Sequence, residues 1–335
     1  MQEEAAESPA VVARQLRENA ALMADIGAQL RQRPPRAVVT CARGSSDHAA
    51  TYAKYLFETR ARVLTASAAL SISSVYRIEL DLRDCLFIAI SQSGESPDLL
   101  ASAAAAKRSG ATVIALCNAI EAPLCRAADF TIPMWAGTEH SVAATKSFLA
   151  SLAALAHLTA EWTGDAELLA ALHALPAILA DSWRLDWRAA LSALSSAQHL
   201  YVIGRGIGLC AAQETALKAK EVCGLHAEAY SGAEVRHGPV ALLGGGFPAL
   251  ILAQDDATRH GLQSLGAELA ARNVEVLLAG GYAAGVTELP TLACQSALAP
   301  MLMVGSVYRL LAQLAVARGR DPDRPPHLRK VTGTV

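Results

Sequence analysis

Aromatic side chains are scarce: Phe, Trp and Tyr make up 5% of the 335 residues. With Ala and Leu abundant instead, the composition favours helices packed on sheets over an all-β design. Charge of one sign is also missing. The formal net charge is −2, from 29 basic and 31 acidic residues. That balance excludes a broad basic surface for nucleic acid or an anionic membrane. No apolar run approaches ~20 uninterrupted residues, so no membrane span is expected. The opening MQEEAAESPA is acidic and polar, unlike a secretory signal. Cys41, Cys85, Cys117, Cys125, Cys210, Cys223 and Cys294 show no repeated short spacing. Reduced, buried thiols in a cytoplasmic protein are therefore expected, with no disulfide framework.

The 53% hydrophobic content and the length suit two ordinary domains. Val12, Leu16, Leu22, Ile26 and Leu30 recur at near-helical spacing over residues 9–32, and Pro34-Pro35 ends that helix. Strands are then expected at Val38–Cys41, Arg62–Ala66, Cys85–Ile90, Thr112–Cys117 and Phe130–Pro133, with helices at Ser46–Thr59 and Pro97–Ser109. Residues 143–196 read as helical, broken near Thr163-Gly164 and Pro176. The alternation then restarts. Strands are expected at His199–Ile203, Ala249–Ala253 and Glu275–Leu278, with helices at Gly208–Cys223, Ala257–Arg272 and Ala299–Arg318. Val38–Ser46 resembles Leu200–Gly208: each is a strand, an Arg-Gly pair, then a helix rich in Ala. This implies two copies of one α/β unit, each a mostly parallel sheet covered on both faces.

Several loops carry chemistry. Ser91-Gln92-Ser93-Gly94-Glu95-Ser96 joins a buried strand to a helix opening at Pro97. Hydroxyls, an amide and a glycine meet the positive end of a helix, which favours an anion. The loop holds no Lys or Arg, so it suits a small sugar phosphate better than a nucleic acid. Arg43-Gly44-Ser45-Ser46 opens another helix with hydroxyls. Helix capping alone explains either loop, but two such loops in one sheet favour phosphate. The loop Ala136–Ser147, with Glu139 and Lys146, reads as a capping box or as a wall of the same pocket.

In residues 213–239, Glu214, Lys218 and Glu221 share a helix face. A surface ion-pair ladder is the ordinary reading. The following loop adds His226, Glu228, Glu234 and His237, a density of ionisable groups that suggests proton transfer. Gly204-Arg205-Gly206-Ile207-Gly208-Leu209 nearly fits a dinucleotide fingerprint, but leucine stands where the third glycine or alanine belongs. Cys223, His226 and Glu228 match no common metal-ligand spacing. No metal and no cofactor are expected.

ISQSGES, AGTEHSVAATKSF, ALKAKEVCGLHAEAYSGAEVRHGP and DPDRPPHLRK are specific in combination. Through them the chain resembles the sugar isomerase (SIS) superfamily, and within it the isomerase domain of glutamine–fructose-6-phosphate aminotransferases and stand-alone glucosamine-6-phosphate deaminases. The resemblance implies two flavodoxin-like α/β subdomains, each an αβα sandwich. Expected boundaries are an N-terminal helix (1–35), a first SIS subdomain (36–165), a helical connector (166–196), a second SIS subdomain (197–318) and a tail (319–335) carrying Lys330.

It also implies roles. Ser45, Ser46, Ser91, Gln92, Ser93 and Ser96 bind the sugar phosphate. Glu221 moves a proton between C1 and C2, and His237, supplied by the neighbouring subunit of a homodimer, assists ring opening. Lys330 can form a Schiff base with the open-chain ketose, and Lys218 lies near the sugar. Ser45 and Ser96 replace expected threonines, and Arg236 replaces a lysine. Only ~35 residues precede the first strand, too few for a glutaminase domain. Deamination of glucosamine 6-phosphate to fructose 6-phosphate and ammonia is therefore the expected reaction. The rivals are another SIS isomerase or deglycase, acting on a fructosamine or galactosamine phosphate, and a non-catalytic phosphosugar sensor.

Overall fold

The computed structural model describes residues 1–330. In chain order its elements are α1 (Gln2–Ala6), α2 (Ser8–Gln32), β1 (Val38–Cys41), α3 (Ser45–Leu56), β2 (Thr65–Ser67), α4 (Leu70–Ser74), β3 (Leu86–Ser91), α5 (Pro97–Arg108), β4 (Thr112–Cys117), α6 (Pro123–Ala127), β5 (Phe130–Pro133) and α7 (Lys146–Thr163). Then follow α8 (Ala166–Ser182), α9 (Arg188–Ser195), β6 (His199–Gly204), α10 (Leu209–Cys223), β7 (His226–Ser231), β8 (Ala249–Leu252), α11 (Arg259–Ala270), β9 (Val276–Ala279), β10 (Thr287–Leu289) and α12 (Ala299–Ala317).

The chain forms two compact units. One comprises residues 10–139, 146–173 and the described end of the tail from Arg329; the other comprises 1–9, 140–145 and 174–328. The first unit holds a sheet ordered β2-β1-β3-β4-β5 and the second a sheet ordered β10-β9-β8-β6-β7. Every strand pairing is parallel. Counted along the chain within its own sheet, each unit has the order 2-1-3-4-5 of flavodoxin-like folds. The expected pair of flavodoxin-like α/β sandwiches is what the chain forms.

Parallel strands covered on both faces read as continuous apolar runs. Leu86–Ser91 and Ala249–Leu252 are buried throughout. In the first unit Phe87, Ala89, Val113 and Ala115 pack on Leu99 and Ala103 of α5. In the second, Tyr201, Ile251 and Leu278 pack on Leu262 and Leu265 of α11. α2 joins the first unit through polar side chains. Gln15, fully buried, donates to the carbonyls of Met134 and Ala150, both at 3.0 Å. Asn19, one turn on, donates to Pro133 O at 2.8 Å. Ser296–Ala317 is long and apolar enough to cross a membrane, but 83% of that window is buried inside the protein.

Some local expectations need correction. Residues 226–231, read as loop, form strand β7 at the edge of the second sheet. Pro176 does not break the helical stretch; it sits inside α8, where buried Leu168, Leu172, Leu175 and Leu179 offset the bond it cannot make. α3 ends in a π-helical turn, Phe57–Ala61, closed by left-handed Arg62. The next strand therefore starts at Thr65, later than the apolar pattern implied.

Candidate active site

In an open parallel sheet, ligands sit beyond the carboxyl ends of the strands, where the strand order reverses. In the first unit that point lies between the paired neighbours β1 and β3, and the two Ser-rich loops follow these strands. Ser45 and Ser46 begin α3 after Gly44, whose φ is +55°. Ser96 precedes Pro97 at the start of α5 and makes no capping hydrogen bond. Simple capping thus does not account for it. Ser91 Oγ accepts the Gly94 N–H at 2.9 Å and Ser93 Oγ the Glu95 N–H at 3.4 Å, which turns the loop's amides inward on itself. Gly94 has φ +66°, and a Cβ there would stand 2.6 Å from Ala122 Cβ. Only glycine meets both constraints.

Asp98, with a fully buried side chain, lies in the first turn of α5, where its charge would oppose an anion. Arg43 from the other loop donates to its Oδ2 through Nε at 3.0 Å and Nη2 at 2.9 Å. The ion pair neutralises that carboxylate and ties the two loops together. Arg43 was part of the sequence motif; Asp98 carried no signal of its own.

A wide depression of about 720 Å³ opens in the same unit, lined in part by Gln92, Ser93, Asn118, Thr138, Glu139 and Lys330. The structure thus brings Lys330 to the Ser91–Ser96 loop and makes Gly137, Thr138 and Glu139, at the start of the Ala136–Ser147 loop, a wall beside it. Lys330 Nζ donates to Glu139 Oε2 at 3.3 Å, and Ser147 Oγ donates to the same oxygen at 2.7 Å. Glu139 is fully buried in its side chain while Lys330 is 27% exposed. A buried carboxylate therefore aims a reachable amine.

The second unit carries the residues from which acid–base work is expected. Lys218 is 2% exposed in its side chain and lies between Glu214, fully buried at 3.6 Å, and Glu221, 20% exposed at 2.7 Å. This is no surface ladder. Tyr308 of α12 donates to Glu214 Oε1 at 2.9 Å, and sequence reasoning missed it because it lies 94 positions away. The result is a buried chain of polar groups ending at a carboxylate that keeps some exposure. His237 closes the 3₁₀ turn Glu234–His237 before Gly238. It lines another depression, of about 250 Å³, with Arg205, Arg236 and Leu262, and makes no hydrogen bond to Glu221.

The rival motifs are put to other uses. The glycine-rich turn after β6 packs on Gln254: a Cβ at Gly208 would stand 2.2 Å from its Oε1. Gln254 Nε2 donates to Arg205 O, Asp256 and Thr258 at 2.8 to 3.0 Å. The crevice where this sheet's order reverses is filled by the protein's own side chains. Cys223, His226 and Glu228 do not converge: they bond Leu311 O, His199 and Tyr230 respectively. Among the described residues no group of three or more His, Cys, Asp or Glu could hold a metal ion.

The SIS domain family matches residues 32–160 and 193–316. The glutamine–fructose-6-phosphate aminotransferase (isomerizing) of Aeropyrum pernix is 35% identical over 86% of this chain and 49% of its own length. That of Pseudomonas putida is 34% identical over 88% of this chain and 50% of its own. The chain spans about half the length of these curated relatives. Among solved structures, a Silicibacter pomeroyi protein provisionally assigned as a phosphosugar isomerase superposes with TM-score 0.93 at 40% identity, covering 96% of this chain and 99% of that one. The glucosamine-6-phosphate deaminase of Thermotoga maritima shares the fold, with TM-score 0.78 at 23% identity over 99% of each chain.

Proposed function

This chain belongs to the SIS domain family, and on that premise we propose that it converts glucosamine 6-phosphate and water to fructose 6-phosphate and ammonia. The observation that carries the reading is Lys218, a buried cation held 2.7 Å from the partly exposed Glu221. The Ser-rich loops at the first sheet's reversal point bear hydroxyls, and their one cation, Arg43, is paired with Asp98; together they supply a neutral complement for a phosphate.

Each step uses a residue type suited to it. His237, given by the neighbouring copy in a homodimer, exchanges a proton with the ring oxygen and the anomeric hydroxyl, opening the pyranose. Glu221 takes the proton from C2 of the open-chain amino aldose and returns it to C1, while the C2 amino nitrogen gives up a proton and O1 takes one up, which leaves a hydroxyl at C1 and an imine at C2. The ammonium of Lys218, 2.7 Å away, holds the Glu221 carboxylate in place. Water adds to C2, the C–N bond breaks, and ammonia leaves as the ketone forms. Lys330 can relay this step by exchanging its amine for ammonia at C2, followed by hydrolysis of the protein-bound imine. Ser45, Ser46, Ser91, Gln92, Ser93 and Ser96 hold the phosphate meanwhile.

A coupled assay for ammonia and fructose 6-phosphate checks this. Both products should appear in equal amounts, and Glu221→Gln should lower turnover by at least ~10²-fold while sugar-phosphate binding persists. Binding without turnover by the unaltered protein would point to a sensor. The 40% identity to a protein provisionally assigned as a phosphosugar isomerase favours a second reading, in which the same acid–base pair interconverts another aldose and ketose phosphate. Turnover of such a sugar with no ammonia released from glucosamine 6-phosphate would establish it.

A further inference from the structure

The first unit holds a second cavity, of about 240 Å³, between one face of its sheet and α5. Val39 and Phe87 line the sheet side, Ser102 and Ala105 the helix side, and Ile72 and Leu80 the roof. None of the lining residues belongs to the loops assigned to phosphate, and none is charged. A sugar phosphate entering it would lose its hydration and gain no counter-charge. An apolar molecule faces no such cost, and an engineered apolar cavity of about 150 Å³ already admits benzene. The roof offers a way in. Residues 75–85 form neither helix nor strand, and Leu80 is half exposed. An exposed ion pair, Arg108 Nε to Glu79 at 2.7 Å, ties this segment to α5.

Ser102 gives this cavity its polarity. It stands in the middle of α5 and is 4% exposed, yet its Oγ meets no hydrogen-bond partner in the protein. Buried hydroxyls in other helices of the chain bond back to the carbonyl four residues earlier. Ser151 does so to Ser147 at 2.9 Å, Thr159 to Leu155 at 2.7 Å and Thr215 to Ala211 at 2.7 Å. Ser102 makes no such bond to Asp98. The polar group beside it is the buried thiol of Cys41, and a thiol is a weak partner. An unpaired hydroxyl cut off from water is destabilising. Alanine fills the next four positions of α5, so helix propensity does not call for a serine here. A serine side chain has only Cβ and Oγ to present to the cavity it lines.

We propose that this cavity is a binding site for a small, uncharged, mostly apolar molecule whose single polar atom bonds Ser102 Oγ. The hydroxyl rotates, so it donates to an acceptor or accepts from a donor. The apolar body of the ligand packs on Val39, Phe87 and Leu80 and removes its own surface from water. One hydrogen bond then fixes its orientation, the usual division of labour in a small-molecule site. This ligand class differs from the sugar phosphate, and the site stands whether or not the Ser-rich loops bind phosphate.

Phenol and toluene test this on the full chain, since they carry a hydroxyl and a methyl on the same ring. Calorimetric titration should show saturable binding of phenol at a single site per chain. Ser102→Ala should lower the ratio of phenol to toluene affinity roughly tenfold, the worth of a buried hydrogen bond. It should leave the fold intact, because it deletes an unpaired hydroxyl. Ala105→Leu fills the cavity and should abolish binding of both, with circular dichroism reporting the fold. A crystal soaked in 4-bromophenol should place the bromine, by its anomalous scattering, between α4 and α5. The proposal is overturned by absence of saturable phenol binding or by an affinity ratio unchanged in Ser102→Ala. Binding that survives Ala105→Leu, or bromine found only in the depression beside Lys330, overturns it equally.

Discussion

A lysine that keeps 2% of its side chain exposed has lost nearly all its hydration, a loss of several kcal/mol that Lys218 must recover from its partners. Glu214 and Glu221 on either side do this, and the Tyr308 hydroxyl satisfies part of Glu214. Lys218→Met leaves two carboxylates without their cation, one of them wholly buried. It should destabilise the protein by roughly 3–5 kcal/mol, seen as a lower urea midpoint, and abolish turnover. A midpoint within experimental scatter of the parent would show that the three residues are not coupled. Helical spacing placed them on one face. Their burial was not legible, because it depends on α12, far along the chain. Gly94 is sharper. Ala there meets both a left-handed backbone and Ala122 at 2.6 Å, so Gly94→Ala should cost at least ~1 kcal/mol and weaken sugar-phosphate binding more than it weakens the fold. Equal losses in both would deny the loop a special role.

At the scale of elements, strands buried on both faces announced themselves as apolar runs, and β3, β4, β6 and β8 fall within about a residue of where the sequence puts them. β7 did not, because an edge strand pairs on one side only. Its residues His226, Glu228 and Tyr230 keep some exposure, and only Ala227 of its middle is fully buried. Polar side chains in alternation with alanine read as loop, although the period of two was present. α7 hides the opposite problem. Its His157 is 2% exposed, and Nδ1 has no hydrogen-bond partner. Burial, with a smaller contribution from His173, holds it down to about 4. Above the ordinary imidazole range both folded and unfolded chains carry it neutral. As pH falls below ~6.5 the unfolded chain takes up a proton that the folded chain refuses, so stability is lost down to about 4, by about 3 kcal/mol in all. His157→Leu should flatten this dependence. Urea midpoints that fall equally in parent and variant between neutral pH and ~pH 5 would place the acid sensitivity elsewhere.

At the scale of the whole chain, two units of one topology have been put to different uses. The reversal point of the first sheet is flanked by the hydroxyl-bearing loops that follow β1 and β3, while that of the second is closed by Gln254 and its bonds to Arg205, Asp256 and Thr258. Repetition was legible in the paired strand–Arg-Gly–helix segments. The closing of one crevice was not, since Gln254 lies outside either motif. The first unit has a charge pattern with a measurable consequence. Of the residues lining its depression, Arg14 and Lys330 are cationic and Glu95 and Glu139 anionic. Lys330 is paired with Glu139, and Arg14 donates to the Trp135 carbonyl. With no unbalanced positive charge, binding of a sugar phosphate must draw on hydroxyls, amides and the N-terminus of α5, whose short-range dipoles salt screens far less than a field of free cations. The affinity for fructose 6-phosphate should therefore change by less than about threefold between ~0.05 and ~0.5 M sodium chloride, titrated calorimetrically at fixed pH. A tenfold or steeper loss would mean that a lysine or arginine carries the phosphate. Lys330→Met, which should leave the affinity nearly intact on the balanced-charge account, would then identify whether the tail supplies it.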